Sequence, residues 1–405
     1  MSSFFNYRHI LLACLLSTIG FFLFFKLGAI PLCDPDEPRY AQSAREMNER
    51  GSYMVPYFNH EPRLNKPVVY YWIISISYKL FGVSEFSARL GSVLAALALL
   101  GATFFFVSRV RDTLTAFLSC VILGSSPLFF VPARLSMPDM VFSTLMILSL
   151  YCFYLGWQEK ASPQKNAWYM GFYFFQVAAA WTKGPVGILI PLAVAVISLL
   201  REKDRQELRS LRLSRGVPCV LLASIPWYLY IFFFVNSAAM AEMSTSETIS
   251  RVIGGQGRNY EPMYYYVPAV IGGLFPWIFL LPWALHKRLR RKERDRPNFF
   301  LETWFLFVLV FFSLCASKKF QYIICLSSVF SIWLASVCAE AFRLQARVKD
   351  AGLIATLFIL FLVVLVGCFT GISWVSKKEP SLIMGGCMVF FTLMVPLGIS
   401  LWLSV

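Results

Sequence analysis

The sequence has little charge: 15% of its 405 residues are Asp, Glu, Lys or Arg, whereas 58% are hydrophobic. Because soluble domains contain roughly 25% charged residues, this shortage excludes an ordinary soluble protein. The apolar runs also lack the alternating polarity of membrane β-strands. Backbone N–H and C=O groups in lipid must bond within their own segment, so long apolar runs form helices. The sequence therefore predicts an all-α integral membrane protein.

Metal-site patterns are also missing from the sequence. The ten cysteines and three histidines form no CxxC or Cys/His spacing that is typical of zinc sites. Most of the cysteines lie within or at the ends of apolar runs, where they behave as small apolar residues. From the residues alone, we predict no metal and no cofactor.

The net charge of +15 does not indicate nucleic-acid binding, because the basic residues do not gather on one soluble face. They fall instead into short clusters in every second loop between apolar runs. This positive-inside pattern predicts that these loops, and the N-terminus with Arg8, face the cytoplasm. We therefore expect residence in the inner (cytoplasmic) membrane, with an active site on the external, periplasmic face.

The apolar runs predict about twelve membrane spans in a single domain, 1–405, without a C-terminal soluble domain. A helical span needs roughly 20 apolar residues. The first run follows Arg8 but has no small-residue cleavage pattern, so it is interpreted as an uncleaved span. The predicted spans are 10–30, 84–107, 114–131, 138–157, 167–182, 185–200, 217–235, 264–285, 299–315, 322–341, 351–374 and 381–403.

The first external loop, 32–83, is predicted to carry two short helices that lie in the membrane interface. Acidic residues and Pro38 favour a helix start, and Gly51 is placed to end that helix. A second helix is predicted from Pro67 to about Leu80. It is too short to span the bilayer, and its aromatic residues are typical of an interfacial helix.

Charged residues on the predicted external side form a set that membrane anchoring does not explain. Ionisable groups at span ends are costly and usually functional. Acids facing several cations indicate chemistry on an anionic substrate. Simpler interpretations stay open: the acids could cap a turn, Lys66 could snorkel, and Arg134 and Asp139 could form a structural ion pair. The external set is Asp34, Asp36, Glu37, Arg39, Arg63, Lys66, Arg134, Asp139, Lys183, Glu242, Glu247, Arg251, Arg258, Glu261, Lys318 and Lys319.

The segment Asp36-Glu-Pro-Arg-Tyr-Ala41, followed by Lys66-Pro67, resembles the opening of the polyprenyl-phosphate-sugar-dependent glycosyltransferases of the GT-C fold. That group includes lipid A aminoarabinose transferases and protein O-mannosyltransferases. The resemblance implies external transfer of a sugar from a lipid phosphate to an acceptor. Further matches follow in order to about residue 325: Arg45-Glu-Met47, Gly51, Pro56, Tyr71-Trp72, Leu80-Phe-Gly82, Glu85, Arg89, Asp139, Thr182-Lys-Gly-Pro185, Pro262 to Tyr266, Pro276-Trp277, and Ser317-Lys318 before Tyr322.

The resemblance makes Asp36 central to catalysis, with the adjacent Glu37 as a second catalytic candidate. A carboxylate can accept the proton of an acceptor hydroxyl. The leaving phosphate departs already ionised, so it needs cations rather than a second, protonated carboxyl. The residues predicted to bind the donor phosphate are Arg39, Tyr40, Lys66, Lys183, Lys318 and Tyr322, and the further site candidates are Asp139, Arg258, Asn65 and Asn259.

Two positions depart from the family pattern. In aminoarabinose transferases, a Glu before the first-loop Lys-Pro and a His before the later Pro motif resemble a metal site. Here those positions hold Asn65 and Asn259, and asparagine is a poor zinc ligand compared with carboxylate or imidazole. We therefore expect no zinc. The second external loop, 236–263, contains closely spaced glycines and is interpreted as a mobile lid.

Several functions stay open within this interpretation. Lipid A or another envelope glycolipid is the first choice of acceptor, and protein serine or threonine is the second. A lipid or solute transporter or flippase is the main alternative from another class, since charged residues and a Gly-Pro break also occur in transport pathways. The chain does not clearly show two matching halves, which favours the enzyme. A non-catalytic assembly subunit that kept the fold is a further alternative.

Overall fold

The computed structural model describes residues 2–160, 162–235, 261–290 and 295–343. The chain is helical over most of this length, with one small hairpin. The α-helices are α1 Ser2–Phe24, α2 Asp36–Arg50, α3 Val69–Phe81, α4 Glu85–Val110, α5 Thr113–Ser125, α6 Pro127–Ala133, α7 Pro138–Gln158, α8 Pro163–Lys183, α9 Val186–Arg201, α10 Arg205–Ser210, α11 Leu213–Phe234, α12 Tyr266–Gly273, α13 Leu281–Arg290, α14 Arg296–Leu314 and α15 Ser327–Arg343. The strands are β1 Tyr57–Phe58 and β2 Glu61–Pro62, and 3-10 helices cover Met263–Tyr265, Trp277–Leu280 and Phe320–Leu326.

In the described ranges, five helical segments are long and apolar enough to cross a membrane, or up to seven if each of two bent helix pairs is one span. The prediction of about twelve spans is not confirmed by this number, and the predicted spans 351–374 and 381–403 lie outside the described residues. The five segments are Glu85–Val110, Pro138–Gln158, Leu213–Phe234, Arg296–Leu314 and Phe320–Glu340.

Two predicted continuous spans are broken helices. The predicted span 114–131 divides into α5 and α6, which meet at an angle of 62°, and 264–285 divides into segments that meet at 106°. Pro127 begins α6 at the first break, and Pro276 lies at the second. Proline has no backbone N–H and its ring clashes with the preceding turn, so a regular helix does not continue through it.

The first external loop contains the two predicted helices, although their place in the membrane interface stays a prediction. Gly51 ends α2 in a left-handed conformation with φ 66°, which glycine adopts without steric cost. Ser84 caps α4, because its Oγ accepts a hydrogen bond from the Ser87 backbone N–H at 3.2 Å. The hairpin of β1 and β2 was not predicted, since strands of two residues are too short to show alternation.

Apolar packing fixes the first loop onto the end of the helix bundle. Tyr40 and Met47 of α2 pack with Tyr71 and Ile74 of α3 in a buried cluster that also includes Trp227 of α11. The indole N–H of Trp227 donates to the backbone oxygen of Met54 at 2.9 Å. These contacts hold the first turn of α2 over the bundle.

Arg134 connects the loop before α7 to the C-terminal end of α1. Its guanidinium donates to the backbone oxygens of Phe22, Leu23 and Phe25. These carbonyls have no partner within α1, so the arginine caps the helix end. The predicted ion pair of Arg134 with Asp139 is therefore wrong: Arg134 is engaged by carbonyls, and Asp139 pairs elsewhere.

Candidate functional site

Asp36 lies in the first turn of α2, where its carboxylate is partly open. Its Oδ2 is 4.0 Å from the Nζ of Lys319, and the two side chains are 36% and 47% exposed. An acid in the first turn is favoured by the helix dipole. The chain thus places an accessible carboxylate opposite an accessible ammonium group.

Lys318 and Lys319 are neighbours in sequence but have different surroundings. Lys319 has extended backbone angles, φ −139° and ψ 144°, and successive side chains of an extended chain point to opposite sides. Lys318 is buried, and its Nζ donates to the backbone oxygens of Glu261 at 2.9 Å and Cys315 at 2.8 Å. The cation that faces Asp36 is therefore Lys319, whereas sequence reasoning selected Lys318.

Asp139 and Lys183 form a second charged pair in the site. Asp139 is in the first turn of α7 and Lys183 in the last turn of α8, and the Lys183 ammonium donates to the Asp139 carboxylate. Both positions suit the helix dipole. The Lys183 Nζ also lies 5.1 Å from the centre of the Tyr322 ring. Three predicted site residues from different helices are thus together.

Tyr40 lies near both Asp36 and Asp139. Its ring is 5.5 Å from the rings of both Tyr70 and Tyr71. Burial raises the pKa of the Tyr40 phenol well above its usual value, and the charges of Asp139 and Asp36 raise it further. The phenol is therefore neutral.

Glu37 differs from its neighbour Asp36 because it is closed off. It is 1% exposed, and its carboxylate accepts four hydrogen bonds: two from Arg89 and one each from the backbone N–H groups of Cys33 and Ser136. Burial alone raises the pKa of Glu37, but these bonds outweigh it and the pKa is lowered. This saturated carboxylate has no free lone pair toward a substrate, so the geometry favours a structural role over the predicted catalytic one.

Comparisons with known proteins show which families this chain resembles. A family model described as dolichyl-phosphate-mannose-protein mannosyltransferase matches residues 65–230. The undecaprenyl phosphate-α-4-amino-4-deoxy-L-arabinose arabinosyl transferase of Yersinia pestis is 31% identical over 350 residues, covering 81% of this chain and 59% of its own length. The crystal structure of ArnT from Cupriavidus metallidurans bound to undecaprenyl phosphate superposes with a TM-score of 0.78 at 25% identity, covering 91% of this chain and 65% of that chain.

The chain has the fold of the GT-C glycosyltransferases. A more distant similarity shows the same fold: the oligosaccharyltransferase AglB of Archaeoglobus fulgidus matches with a TM-score of 0.53 at 14% identity over 95% of this chain and 56% of that chain. The resemblance found in the sequence is confirmed, and the similarity supports an integral membrane protein. The chain spans about 58–59% of the length of the curated relatives it matches.

The other residues predicted from the GT-C resemblance have mixed surroundings. Arg39 is exposed on α2, and Lys66 is buried at 8% exposure. Asn65 is exposed and offers only an amide. Arg258, Asn259 and most of the predicted lid lie outside the described residues.

The described residues of this GT-C chain offer no set of metal ligands. In the ranges given above, no group of three or more His, Cys, Asp or Glu could hold a metal ion. Asn65 stands where aminoarabinose transferases have a carboxylate, and an amide oxygen is a weak zinc ligand. The amide of Asn65 therefore suits a zinc ion poorly.

Lys319 and Arg63 are the site residues that sequence reasoning did not select. Both belonged to the external charged set, so their charge and predicted side were visible signals. What distinguishes Lys319 from Lys318 is the direction of the side chain, which the sequence does not specify. What distinguishes Arg63 is its contact with Tyr40, which depends on how the β1–β2 hairpin folds back over α2.

Proposed function

We propose that the protein transfers a sugar from a polyprenyl-phosphate donor to lipid A or another envelope glycolipid, on the periplasmic face of the inner membrane. The observation that carries this proposal is the partly open Asp36 carboxylate facing the Lys319 ammonium. The similarity to undecaprenyl-phosphate aminoarabinose transferases supports the choice of donor. The aminoarabinose-bearing undecaprenyl phosphate named for those relatives is therefore the first donor to test.

The proposed reaction is a displacement at the sugar carbon that carries the phosphate. The acceptor hydroxyl gives its proton to the Asp36 carboxylate, and its oxygen forms a bond to that carbon. The bond from carbon to phosphate oxygen breaks, and its electron pair leaves with the polyprenyl phosphate. Lys319 stabilises the charge that builds on the phosphate. The Lys183 and Asp139 pair keeps the helix ends around the site in place.

A comparison of cells with and without the gene tests this function. Masses of envelope lipids and of glycoproteins are measured in both. We expect one glycolipid to lose the mass of a single sugar when the gene is removed. An unchanged lipid profile with glycoproteins that lose hexose would favour transfer to protein serine or threonine, which the dolichyl-phosphate-mannose family description also supports. Unchanged lipids and proteins would contradict both forms of transfer.

Metal removal is expected to leave the proposed transfer unchanged. The reason is that Asn65 and Asn259 replace the carboxylate and imidazole of the family's metal site, and amides hold zinc poorly. Transfer by the purified full-length protein is measured before and after EDTA, together with its zinc content. A stoichiometric zinc ion that is lost on changing Asn65 or Asn259, or activity that returns only with added zinc, would contradict this prediction.

A further inference from the structure

Arg63 is a half-buried cation of the first loop. It follows β2, and its backbone N–H donates to the oxygen of Pro56 at 2.7 Å, which fixes its position. Its guanidinium carbon lies 5.3 Å from the centre of the Tyr40 ring and 5.6 Å from that of Phe58. The side chain is therefore held between two aromatic rings.

The Nε of Arg63 is buried without a hydrogen-bond partner. Within the described ranges, no carboxylate pairs with this guanidinium either. A buried N–H donor without an acceptor is unfavourable and needs a reason. In the part of the chain that the structure describes, no group accepts from this N–H, which leaves it available to an acceptor on a ligand.

The position of Arg63 relates it to the reaction site. Tyr40, which it contacts, lies one helical turn after Asp36 on the same face of α2. The pKa of Tyr40 is also influenced by the charges of Arg63, Asp36 and Asp139 together. Arg63 therefore contacts a residue on the same helix face as the proposed base.

Two of the lysines predicted to bind the phosphate are already engaged. Lys183 donates to Asp139, and Lys318 donates to two backbone oxygens. Among the described residues, Arg63 has no carboxylate partner and its Nε has no acceptor. A guanidinium presents Nε–H and Nη–H as two parallel donors, which match two oxygens of a phosphate.

We propose that Arg63 binds the phosphate of the lipid donor through its Nε and Nη groups. This inference rests on the proposed function for the identity of the donor. Bound phosphate would satisfy the buried Nε and would be held beside Asp36. The ring contacts with Tyr40 and Phe58 reduce the freedom of the arginine before the lipid arrives, which lowers the entropy lost on binding.

Binding of undecaprenyl phosphate to the full-length protein in nanodiscs tests the inference. Removing a charged hydrogen bond is expected to weaken binding about 10- to 100-fold in Arg63→Gln. Arg63→Lys keeps the charge but loses the paired donors, so its affinity should lie between those of the wild type and Arg63→Gln. Undecaprenol, which lacks phosphate, should bind equally to all three proteins.

Arg50→Gln is the matched control. Arg50, like Arg63, lies over an aromatic ring of β1: its guanidinium carbon is 4.1 Å from the centre of the Tyr57 ring. Unlike Arg63, it has hydrogen bonds to His60. This variant should bind undecaprenyl phosphate like the wild type, and a thermal melt shows that each variant is folded.

Three outcomes would overturn the inference: no binding of undecaprenyl phosphate by the wild type, equal binding by wild type and Arg63→Gln, or equal losses in Arg63→Gln and Arg50→Gln. Inorganic phosphate is added as a competitor, and the inference requires that the lipid phosphate binds more tightly. The wild-type protein could bind this lipid in an Arg63-dependent way and yet transfer no sugar. That result would contradict the proposed function but would support the inference about Arg63.

Discussion

Replacing Asp36 with asparagine is expected to lower sugar transfer by about 10²- to 10⁴-fold, the range that a positioned general base contributes. The amide has the same size but cannot accept a proton from the acceptor hydroxyl. The Asp36 side chain is 36% exposed, and its Oδ2 lies 4.0 Å from the Nζ of Lys319. Because this carboxylate is not part of the buried core, the loss should arise in chemistry rather than folding. Transfer is measured in membranes from a deletion strain that expresses each variant.

Glu49→Gln is the control for this change. Glu49 is on the same helix, is 53% exposed, and pairs with Arg45 on the solvent side. It should retain wild-type transfer. Asp36→Glu should keep part of the activity, because it retains a carboxylate but displaces it by one methylene. Full transfer by a correctly inserted Asp36→Asn variant would remove Asp36 from the mechanism.

The features that the sequence predicted well are those that depend on neighbouring residues. Gly51 ends α2 because a left-handed residue is needed within a few positions of the helix. Ser84 begins α4 because its side chain reaches a backbone N–H three residues later. The external position of the charged set was inferred in the same way from apolar runs and basic loops, and it stays a prediction.

The features that the sequence could not predict depend on packing between distant segments. Asp36 and Glu37 are adjacent acids of the same type, and both were predicted as catalytic. They point about 100° apart around α2, given 3.6 residues per turn. One therefore faces open space near Lys319, and the other enters the bundle toward Arg89. No local pattern distinguishes them, because the position of Arg89 is set by the docking of α4.

The broken spans have a similar explanation. Prolines such as Pro127 and Pro276 are visible in the sequence, but membrane helices also tolerate proline within a kinked, continuous span. Whether the helix kinks or breaks depends on which neighbours satisfy the freed carbonyls. At the second break, the Trp277 indole donates to the Ser125 hydroxyl at 2.9 Å, which joins the two interrupted segments. The sequence of either apolar run alone does not predict this contact between Trp277 and Ser125.

Replacing Arg89 with methionine is expected to destabilise the protein by about 3–5 kcal/mol, as is usual when one partner of a buried ion pair is removed. Arg89 is 3% exposed and makes five hydrogen bonds, two to Glu37 and three to the backbone oxygens of Leu27, Ile30 and Pro31. The methionine would leave a buried carboxylate without its cation and three carbonyls without their donor. The measurement is the thermal unfolding of the purified protein in detergent.

A double-mutant cycle separates the ion pair from the general effect of mutation. Arg89→Met with Glu37→Gln should be less destabilised than Arg89→Met alone, since no uncompensated charge stays buried. Arg45→Met is the control, because its pair with Glu49 is exposed and such pairs contribute about 0–1 kcal/mol. If Arg89→Met melted at the same temperature as Arg45→Met, Glu37 would not need Arg89 for stability, and its catalytic assignment would have to be considered again.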